Sequence, residues 1–77
     1  NPFNPGTQIR YDLPQNGRVA IEVFNSLGQR VATLVNKDMS AGTHTVSFDA
    51  SNLASGIYLY KMTSGSTSIT QKMLLVK

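Results

Sequence analysis

The chain has 77 residues, no cysteine and a formal net charge of +3. A chain of this size buries only ~60% of its extended surface on folding, which allows one thin core but leaves little room for a separate deep active-site cavity. The lack of cysteine excludes disulfides and thiolate metal sites. The lysine and arginine residues are spread singly along the chain, whereas nucleic-acid binders group them on one face. We therefore expect one small domain that does not bind nucleic acid.

Apolar and polar residues alternate over much of the first half, which predicts β-strands. The first strand is predicted at residues 7–13. The sequence PQNG at residues 14–17 ends it, and its Asn-Gly pair predicts a tight hairpin turn because both residues tolerate positive φ. A second strand at residues 18–25 and a third at residues 29–35 are joined by the turn sequence NSLG.

The second half begins with a polar connection at residues 36–42, followed by a fourth alternating strand at residues 43–49. Residues 50–54 are predicted to form one tight helical turn, because Asp49 is placed to cap it. Leu53 would be the single side chain that this turn contributes to the core.

Residues 57–60 (IYLY) are apolar on both faces, which is typical of a central strand covered on both sides. A turn at residues 64–66 and a last strand at residues 68–76 follow. Six strands joined by Gly, Asn and Ser turns predict a small antiparallel β-sandwich or barrel. The predicted core consists of Ile9, Tyr11, Leu13, Val19, Ile21, Val23, Val31, Leu34, Val46, Phe48, Leu53, Tyr58, Tyr60 and Leu74, with Met62, Met73 and Leu75 filling the edges.

We expect residues 1–77 to be a single domain of a longer protein, because the chain has no starting methionine and no charged-then-apolar leader. Residues 1–6 are predicted to lead in from a preceding domain as an extended segment, since proline restricts both itself and its predecessor. Phe3 is expected to anchor this segment against the sandwich.

The chain offers few residues for catalysis or metal binding. The single histidine, His44, lies in a predicted strand with no Cys, Asp or Glu at ligand spacing, so we expect a half-buried strand residue. The four carboxylates fall in four separate elements, and each has a simpler role on a solvent face, in a loop or at a cap: they are Asp12, Glu22, Asp38 and Asp49. We predict no catalytic, cofactor-binding or metal-binding residue, and a protein that is not an enzyme.

Two other patterns have a functional and a structural interpretation. Residues 13–17 (LPQNG) have the outline of the LPxTG signal of Gram-positive sortases, but Asn stands in place of Thr, and a strand ending in a hairpin turn fits better. The aromatic residues could form a sugar-stacking platform, although alternation places most of them in the core. They are Phe3, Tyr11, Phe24, Phe48, Tyr58 and Tyr60, with Tyr58 and Phe24 the members to check for exposure.

Several segments stand out together in their order along the chain. They are NPFNPGTQIRYDLP at residues 1–14, VFNSLG at 23–28, VATL at 31–34, AGTHTV at 41–46, DASNLASGIY at 49–58 and KMLLVK at 72–77. In this combination the chain resembles, over nearly its whole length, the type A C-terminal sorting domain of the type IX secretion system of Bacteroidota. Its middle is also similar to the immunoglobulin-like domain of the flagellar hook-capping protein. The resemblance implies an all-β fold, a small immunoglobulin-like antiparallel β-sandwich of six to seven strands.

The function implied by this resemblance is a C-terminal signal that directs a parent protein across the outer membrane. The parent would cross the inner membrane with an ordinary signal peptide, and the folded domain would then be recognised by the outer-membrane translocon. In many members a sortase-like peptidase removes the domain and joins the cargo to anionic lipopolysaccharide. The implied partners are the translocon, the peptidase, the covalently linked upstream cargo and, in attached members, lipopolysaccharide. The implied location is secreted or cell surface, reached through the periplasm.

The resemblance also places the translocon recognition elements, which are Gly56, Ile57, Tyr58, Lys72, Met73, Leu74, Leu75, Val76 and Lys77. Lys72 and Lys77 are five positions apart, so on a regular strand they point to opposite faces. A terminal strand at a sheet edge exposes unpaired backbone groups, and we expect the translocon to use strand addition there in part.

One alternative from a different class stays open on the sequence. It is a non-catalytic immunoglobulin-like module that acts as a structural spacer, a cell-attachment domain or a carbohydrate-binding accessory of a secreted enzyme. An exposed row of aromatic side chains would favour this alternative.

Overall fold

The computed structural model describes residues 2–3 and 6–76, with the side chains of residue 6 and residues 8–76. All of the regular structure in these residues is strand, which confirms the all-β class. The strands are β1 (Pro2–Phe3), β2 (Gly6–Leu13), β3 (Gly17–Asn25), β4 (Arg30–Met39), β5 (Gly42–Asp49), β6 (Gly56–Ser64) and β7 (Thr67–Leu75).

The strands form two sheets that pack face to face. The larger sheet has five strands in the order β1-β7-β6-β3-β4, and the smaller one consists of β2 and β5. Neighbouring strands are antiparallel, except that β1 runs parallel to β7 and pairs with it at Leu74 and Leu75. Of the two predicted architectures, a sandwich and a barrel, the structure is therefore the sandwich. We call the side of the larger sheet that packs against β2 and β5 the inner face, and the opposite side the outer face.

The core lies between the two sheets, and β3 shows most clearly how alternation builds it. Val19, Ile21 and Val23 point inward and have 0% exposure. Most of the predicted core is confirmed as buried, namely Ile9, Tyr11, Leu13, Val19, Ile21, Val23, Phe48 and Tyr58. Half-buried members of the prediction line the core, namely Val31, Leu34, Val46, Leu53 and Tyr60.

At the end of β7 the predicted core is wrong by one position. Leu74 is predicted inside but is 42% exposed, whereas Met73 and Leu75, predicted at the edges, are buried. The run Met-Leu-Leu-Val is apolar at every position, so composition does not indicate which face packs inside. Strand pairing decides the face, because Met73 lies opposite the buried Tyr58. Two further buried residues, Val35 and Ala50, are not in the predicted core.

The connection after β2 is not the predicted hairpin turn. Leu13 pairs with Gly42 in the smaller sheet, whereas Gly17 pairs with Met39 in the larger one, so residues 14–16 cross between the sheets. Neither Asn16 nor Gly17 has a positive φ. The Asn16 side chain instead accepts a hydrogen bond from the backbone N–H of Ala41 at 2.6 Å, which ties this crossing to the connection before β5.

The third predicted strand is too short, because β4 continues through residues 36–39. These residues, polar except for Met39, pair with residues 17–20 of β3 through backbone hydrogen bonds, which are independent of side-chain polarity. Arg18 reinforces the pairing by donating to the backbone and side-chain oxygens of Asn36 at 3.2 and 3.1 Å. The polar connection predicted at residues 36–42 is therefore limited to residues 40 and 41.

The turn predicted at residues 50–54 is present, but it is not helical. Residues 50–54 form a single turn closed by one hydrogen bond, from Leu53 N–H to the Ala50 carbonyl at 2.9 Å, and not a helical turn. Asp49 caps it as predicted, since its carboxylate accepts from the Ser51 N–H at 2.9 Å. Leu53 packs half-buried against the core, also as predicted.

The turn between β3 and β4 is organised by one side chain. The Asn25 carboxamide oxygen accepts from the N–H groups of Leu27 and Gln29 at 2.9 and 3.0 Å, and its nitrogen donates to the Gln29 side chain at 2.9 Å. Gly28 has a φ of 83°, a left-handed conformation that favours glycine. The turn holds Leu27 81% exposed.

β6 is an interior strand of the larger sheet, between β7 and β3, as predicted. The prediction that it is covered on both sides is wrong, because Ile57 on its outer face is 48% exposed. The reason lies in the layer count: the inner face packs against the smaller sheet, and no described element lies on the outer face. Apolar residues on both faces of β6 therefore do not indicate that both faces are buried.

Candidate recognition surface

The two segments predicted to carry recognition meet in the structure as neighbouring strands. Residues 56–58 at the start of β6 pair antiparallel with residues 73–75 at the end of β7. Lys72 lies one position further along and pairs with Leu59. Val76 follows the strand and is exposed, and Lys77 lies outside the described residues. Segments far apart in sequence therefore form one continuous region of the larger sheet.

Alternation divides this region into an inner and an outer set. Tyr58, Met73 and Leu75 point into the core and are buried. Ile57 and Leu74 lie directly opposite each other on the outer face and are exposed. The inner side chains can stabilise the fold, but only the outer ones are available to a partner.

The outer side chains form a small apolar patch with a cation at its border. We define the outer patch as Ile57, Leu59, Leu74 and Lys72. A shallow cavity of about 150 Å³ lies within it and is lined by Ile57, Lys72, Met73 and Leu74. Half-buried Phe24 of β3 continues the apolar surface beside Leu59. Exposed apolar side chains grouped in this way are more typical of a binding surface than of a free sheet face.

The charges near the outer patch are mainly positive. Lys72 forms no ion pair with the described residues, and the same holds for Lys61, which lies opposite Glu22. The Glu22 carboxylate is engaged by Arg30 at 2.8 Å. An exposed pair of this kind contributes little stability, but it occupies the acidic group on this part of the face. The outer patch is therefore suited to a partner that is apolar and acidic.

Comparison with protein families decides what kind of domain presents this surface. The sequence model of the family described as "Secretion system C-terminal sorting domain" matches residues 1–77, the whole chain. The chain belongs to this family. The sorting domain is a C-terminal signal for type IX secretion, which confirms the function implied by the resemblance. A comparison with curated proteins gives no match.

A comparison with solved structures supports the immunoglobulin-like form of the sorting domain. The Ig1 domain of mouse SynCAM 2 matches with a TM-score of 0.51 and 15% identity, covering 97% of this chain and 86% of that chain. Identity this low shows the fold alone. The predicted immunoglobulin-like β-sandwich is thereby confirmed.

Membership of the family also fixes the broad setting in which the sorting domain works. Its parent protein is secreted or displayed at the cell surface, and the domain interacts with the secretion machinery. The family is a family of sorting signals and not of catalysts. Within the described residues no helix is long and apolar enough to cross a membrane.

Tyr58 of the sorting domain has a structural contact that accounts for its burial. Its hydroxyl donates a 2.7 Å hydrogen bond to the carbonyl of Ala54, four residues upstream. Immunoglobulin-type sandwiches use a tyrosine in the same way to fix the corner before a strand. Gly56, with a φ of 153°, lies between the two residues, at a backbone conformation that side chains disfavour. Gly56 and Tyr58 therefore hold the start of β6 in place.

The groups considered for chemistry in the sorting domain have separate roles. The His44 ring is half-buried, as predicted; it stacks on Tyr11 at 5.5 Å between ring centroids, and its Nε2 lies 2.7 Å from the Ser40 carbonyl. Asp12 accepts a hydrogen bond from the Thr43 hydroxyl at 2.7 Å in the smaller sheet, whereas Glu22 pairs with Arg30 in the larger one. No group of three or more potential metal ligands occurs among residues 2–3 and 6–76.

The aromatic residues of the sorting domain do not form an exposed row in the described part of the chain. Tyr11, Phe48 and Tyr58 are buried. Phe24 and Tyr60 are half-buried. The side chain of Phe3 lies outside the described residues, and so does its predicted anchoring role. The feature that would favour a carbohydrate-binding module is therefore absent from the residues that the structure describes.

The sequence reasoning misses Leu59 as a member of the outer patch. A signal for it is present in the chain, because Ile57 and Leu59 are two positions apart and share a face. The signal is missed because residues 57–60 are interpreted as a strand that is buried on both faces. Once one face is known to be open, the same alternation indicates an exposed apolar pair.

Proposed function

We propose that the outer-membrane translocon of the type IX system recognises this domain through the end of the larger sheet where β6 starts and β7 ends. The observation that carries the proposal is the outer patch, because it joins two predicted recognition segments into one exposed apolar surface. The full proposed set is Gly56, Ile57, Tyr58, Lys72, Met73, Leu74, Leu75, Val76 and Lys77.

The members of this set have different proposed roles. Ile57, Lys72 and Leu74 contact the translocon, since their side chains lie on the outer face. Met73 and Leu75 act indirectly, since they hold β7 against the core. Gly56 and Tyr58 position the start of β6 in the same indirect way. Val76 and Lys77 extend the contact beyond the end of the strand.

Contact through the face is favoured over strand addition at this end of β7. Strand addition needs an unpaired edge, but β1 already pairs with β7 at Leu74 and Leu75. An added strand would have to displace β1 first. The outer patch, by contrast, is accessible without any rearrangement.

The proposal extends to the route and the partners of the parent protein. The parent crosses the inner membrane with a signal peptide, and residues 1–77 act as one C-terminal domain, with residues 1–6 leading in from the cargo. The domain itself performs no catalysis. A sortase-like peptidase removes it upstream of residue 1 and joins the cargo to anionic lipopolysaccharide. The mildly basic charge of +3 favours anionic surroundings at that stage.

Export of a reporter fused to the domain in a host with type IX secretion tests the proposal. Deleting residues 72–77 should abolish export, and the double substitution Ile57→Ser with Leu74→Ser should reduce it strongly. The double variant is the sharper test because it leaves the core side chains of β7 intact, which thermal unfolding of the purified domain can verify. Leu27→Ser is the matched control, an exposed leucine in the β3–β4 turn. Undiminished export of the deletion and of the double variant would refute the proposal.

A further inference from the structure

The first part of β7 is an open edge. β1 covers β7 only at Leu74 and Leu75, and from Thr67 to Lys72 β7 pairs with β6 alone among the described strands. In the 77-residue chain no described residue pairs with the far side of these residues, so a further strand can bind their backbone N–H and C=O groups there. This edge shares only Lys72 with the recognition set proposed above.

Ile69 in this open part of β7 faces inward but is not buried. It lies opposite Met62, which is 6% exposed on the inner face, so the two side chains share that face. Ile69 nevertheless is 41% exposed, whereas Met73 on the same strand and face is 7% exposed. The smaller sheet has only two strands, and the exposure of Ile69 indicates that it leaves this part of β7 uncovered.

A cleft occupies the space that the smaller sheet leaves uncovered. Its volume is about 610 Å³, and Leu13, Met62 and Ile69 supply its apolar wall. The connection at residues 14–16 and the turn at residues 65–66 form its rim. Pockets of ~300–1,000 Å³ with apolar walls are the size that accommodates large side chains and small ligands. The cleft therefore joins the open edge of β7 to the interior of the sandwich.

The geometry points to strand addition at residues 67–72 of β7 by an extended peptide segment of the secretion machinery, with one large apolar side chain inserted in the Ile69 cleft. Side chains of an added strand alternate between the two faces. Those on the inner face lie beside Ile69 and enter the cleft. Those on the outer face lie beside Thr70 and Lys72. The proposal rests on the proposed sorting function only for the source of the peptide.

The charges of the outer face indicate which side chains the peptide should carry on that side. On the outer face the added strand would meet Lys72, with Lys61 on the next strand, and neither forms an ion pair with the described residues. Acidic side chains at alternate positions of the peptide complement them. The same charges disfavour a second copy of the chain as occupant, since each copy carries +3. The segment should therefore alternate apolar and acidic residues.

Binding of a designed peptide to the 77-residue chain tests this inference. The probe is Val-Glu-Val-Glu-Phe-Glu-Val-Glu-Val, in which every apolar side chain falls on one face. We expect saturable binding that slows hydrogen exchange at alternate amides between Thr67 and Lys72, and that shifts the methyl signals of Leu13, Met62 and Ile69. A version with Lys in place of Glu should bind at least about tenfold more weakly, since like charges would then face each other.

A double-mutant cycle locates the inserted side chain. Ile69→Ala in the domain, or Phe to Ala in the peptide, should each weaken binding about tenfold, the loss expected for removing a few buried carbons. Because both changes affect the same contact, the combination should cost little more than either alone. Leu27→Ala is the matched control, since Leu27 is 81% exposed in a turn outside the cleft. The affinity of this variant for the peptide should equal that of the unaltered domain.

Several outcomes would overturn the inference. One is that the peptide fails to show saturable binding up to its solubility limit, and another is that the losses of affinity in the double-mutant cycle are additive. A third is that hydrogen exchange is slowed outside residues 67–72, and a fourth is that sedimentation shows the chain associating with itself through β7. Each of these results would refute strand addition. Reporter export separates this failure from failure of the sorting proposal. If the unaltered domain exports its reporter while the peptide fails to bind as described, only strand addition falls. If the unaltered domain does not export the reporter, the sorting proposal falls whatever the peptide does.

Discussion

Two neighbouring leucines at the end of β7 test which side chains of this strand stabilise the fold and which belong to the proposed recognition surface. Leu75 is 1% exposed and belongs to the core cluster that includes Val23 and Phe48. Leu74 is 42% exposed and lies opposite Ile57 on the outer face. The substitutions Leu75→Ala and Leu74→Ala remove the same atoms from adjacent positions, so any difference in effect comes from the face.

The expected loss of stability follows from burial. Leu75→Ala removes three buried carbons, worth ~0.8 kcal/mol each in transfer free energy, and leaves a cavity that brings the total to about 3 kcal/mol. The free energy of unfolding of a chain this short is only about 4–12 kcal/mol, so this loss is a large fraction of it. The melting temperature should fall by about 12–24 °C. Leu74→Ala should change the free energy of unfolding by no more than about 0.5 kcal/mol.

Urea denaturation of the purified domain gives the stability of each variant, and the fused reporter gives its export. Leu75→Ala should lower stability, and it should lower export only as far as the unfolded fraction increases. Leu74→Ala should leave stability almost unchanged and yet reduce export, because it removes part of the outer patch. Equal destabilisation by the two substitutions would contradict the assigned faces of β7. Full export of Leu74→Ala would contradict the role of the outer patch.

Three other predictions concern the stability of the sandwich. Tyr58→Phe removes the 2.7 Å hydrogen bond to the Ala54 carbonyl and should cost about 1 kcal/mol in thermal unfolding; an unchanged melting temperature would show that this corner is not stabilising. Asn25→Ala should cost about 1–2 kcal/mol, and Asn25→Asp less, because aspartate keeps both acceptor contacts to backbone N–H groups; equal losses would argue against those contacts. Burial raises the pKa of Tyr11 above 10.0, so the folded state favours the neutral phenol. Stability should therefore be retained below pH 10 and decline as the pH rises above it, with a smaller decline for Tyr11→Phe in denaturation at a series of pH values. Identical declines for the two proteins would exclude Tyr11 as a cause.

The strands were predictable where apolar and polar residues alternate. In β3, Val19, Ile21 and Val23 alternate with polar or small residues, and the buried face follows directly from the sequence. The end of β7 lacks this contrast, because residues 73–76 are all apolar. Which of them pack inside depends on pairing with β6, a contact that no local pattern encodes.

Long-range pairing also explains the errors in strand length and connection. Residues 36–38 are polar and are typical of a loop, but β3 provides a backbone partner for residues 36–39, and β4 therefore continues. The Asn-Gly pair at residues 16–17 is a common hairpin signal, but here the flanking strands belong to different sheets. Both outcomes depend on where distant strands lie, and local turn propensity carries no information about that.

The two segments of the proposed recognition region were named from the sequence, but the surface that they form was not. Its segments come from a family resemblance, whereas their meeting on one sheet comes from the antiparallel register between β6 and β7. The cleft beside Ile69 had no sequence signal at all. It results from a mismatch in width between the two sheets, which depends on the complete topology.

Side chains along β7 alternate between the inner and the outer face, and this order, which we call the phase of the strand, has an evolutionary consequence. Substitutions at Lys72 and Leu74 can follow changes in a partner without altering the core, while Met73 and Leu75 preserve the fold. Insertion or deletion of a single residue within β7 would invert the phase, expose the core side chains and bury the charged one. This domain can thus accept point substitutions on the outer face of β7, whereas a change in the length of the strand would disturb the core and the proposed recognition surface together.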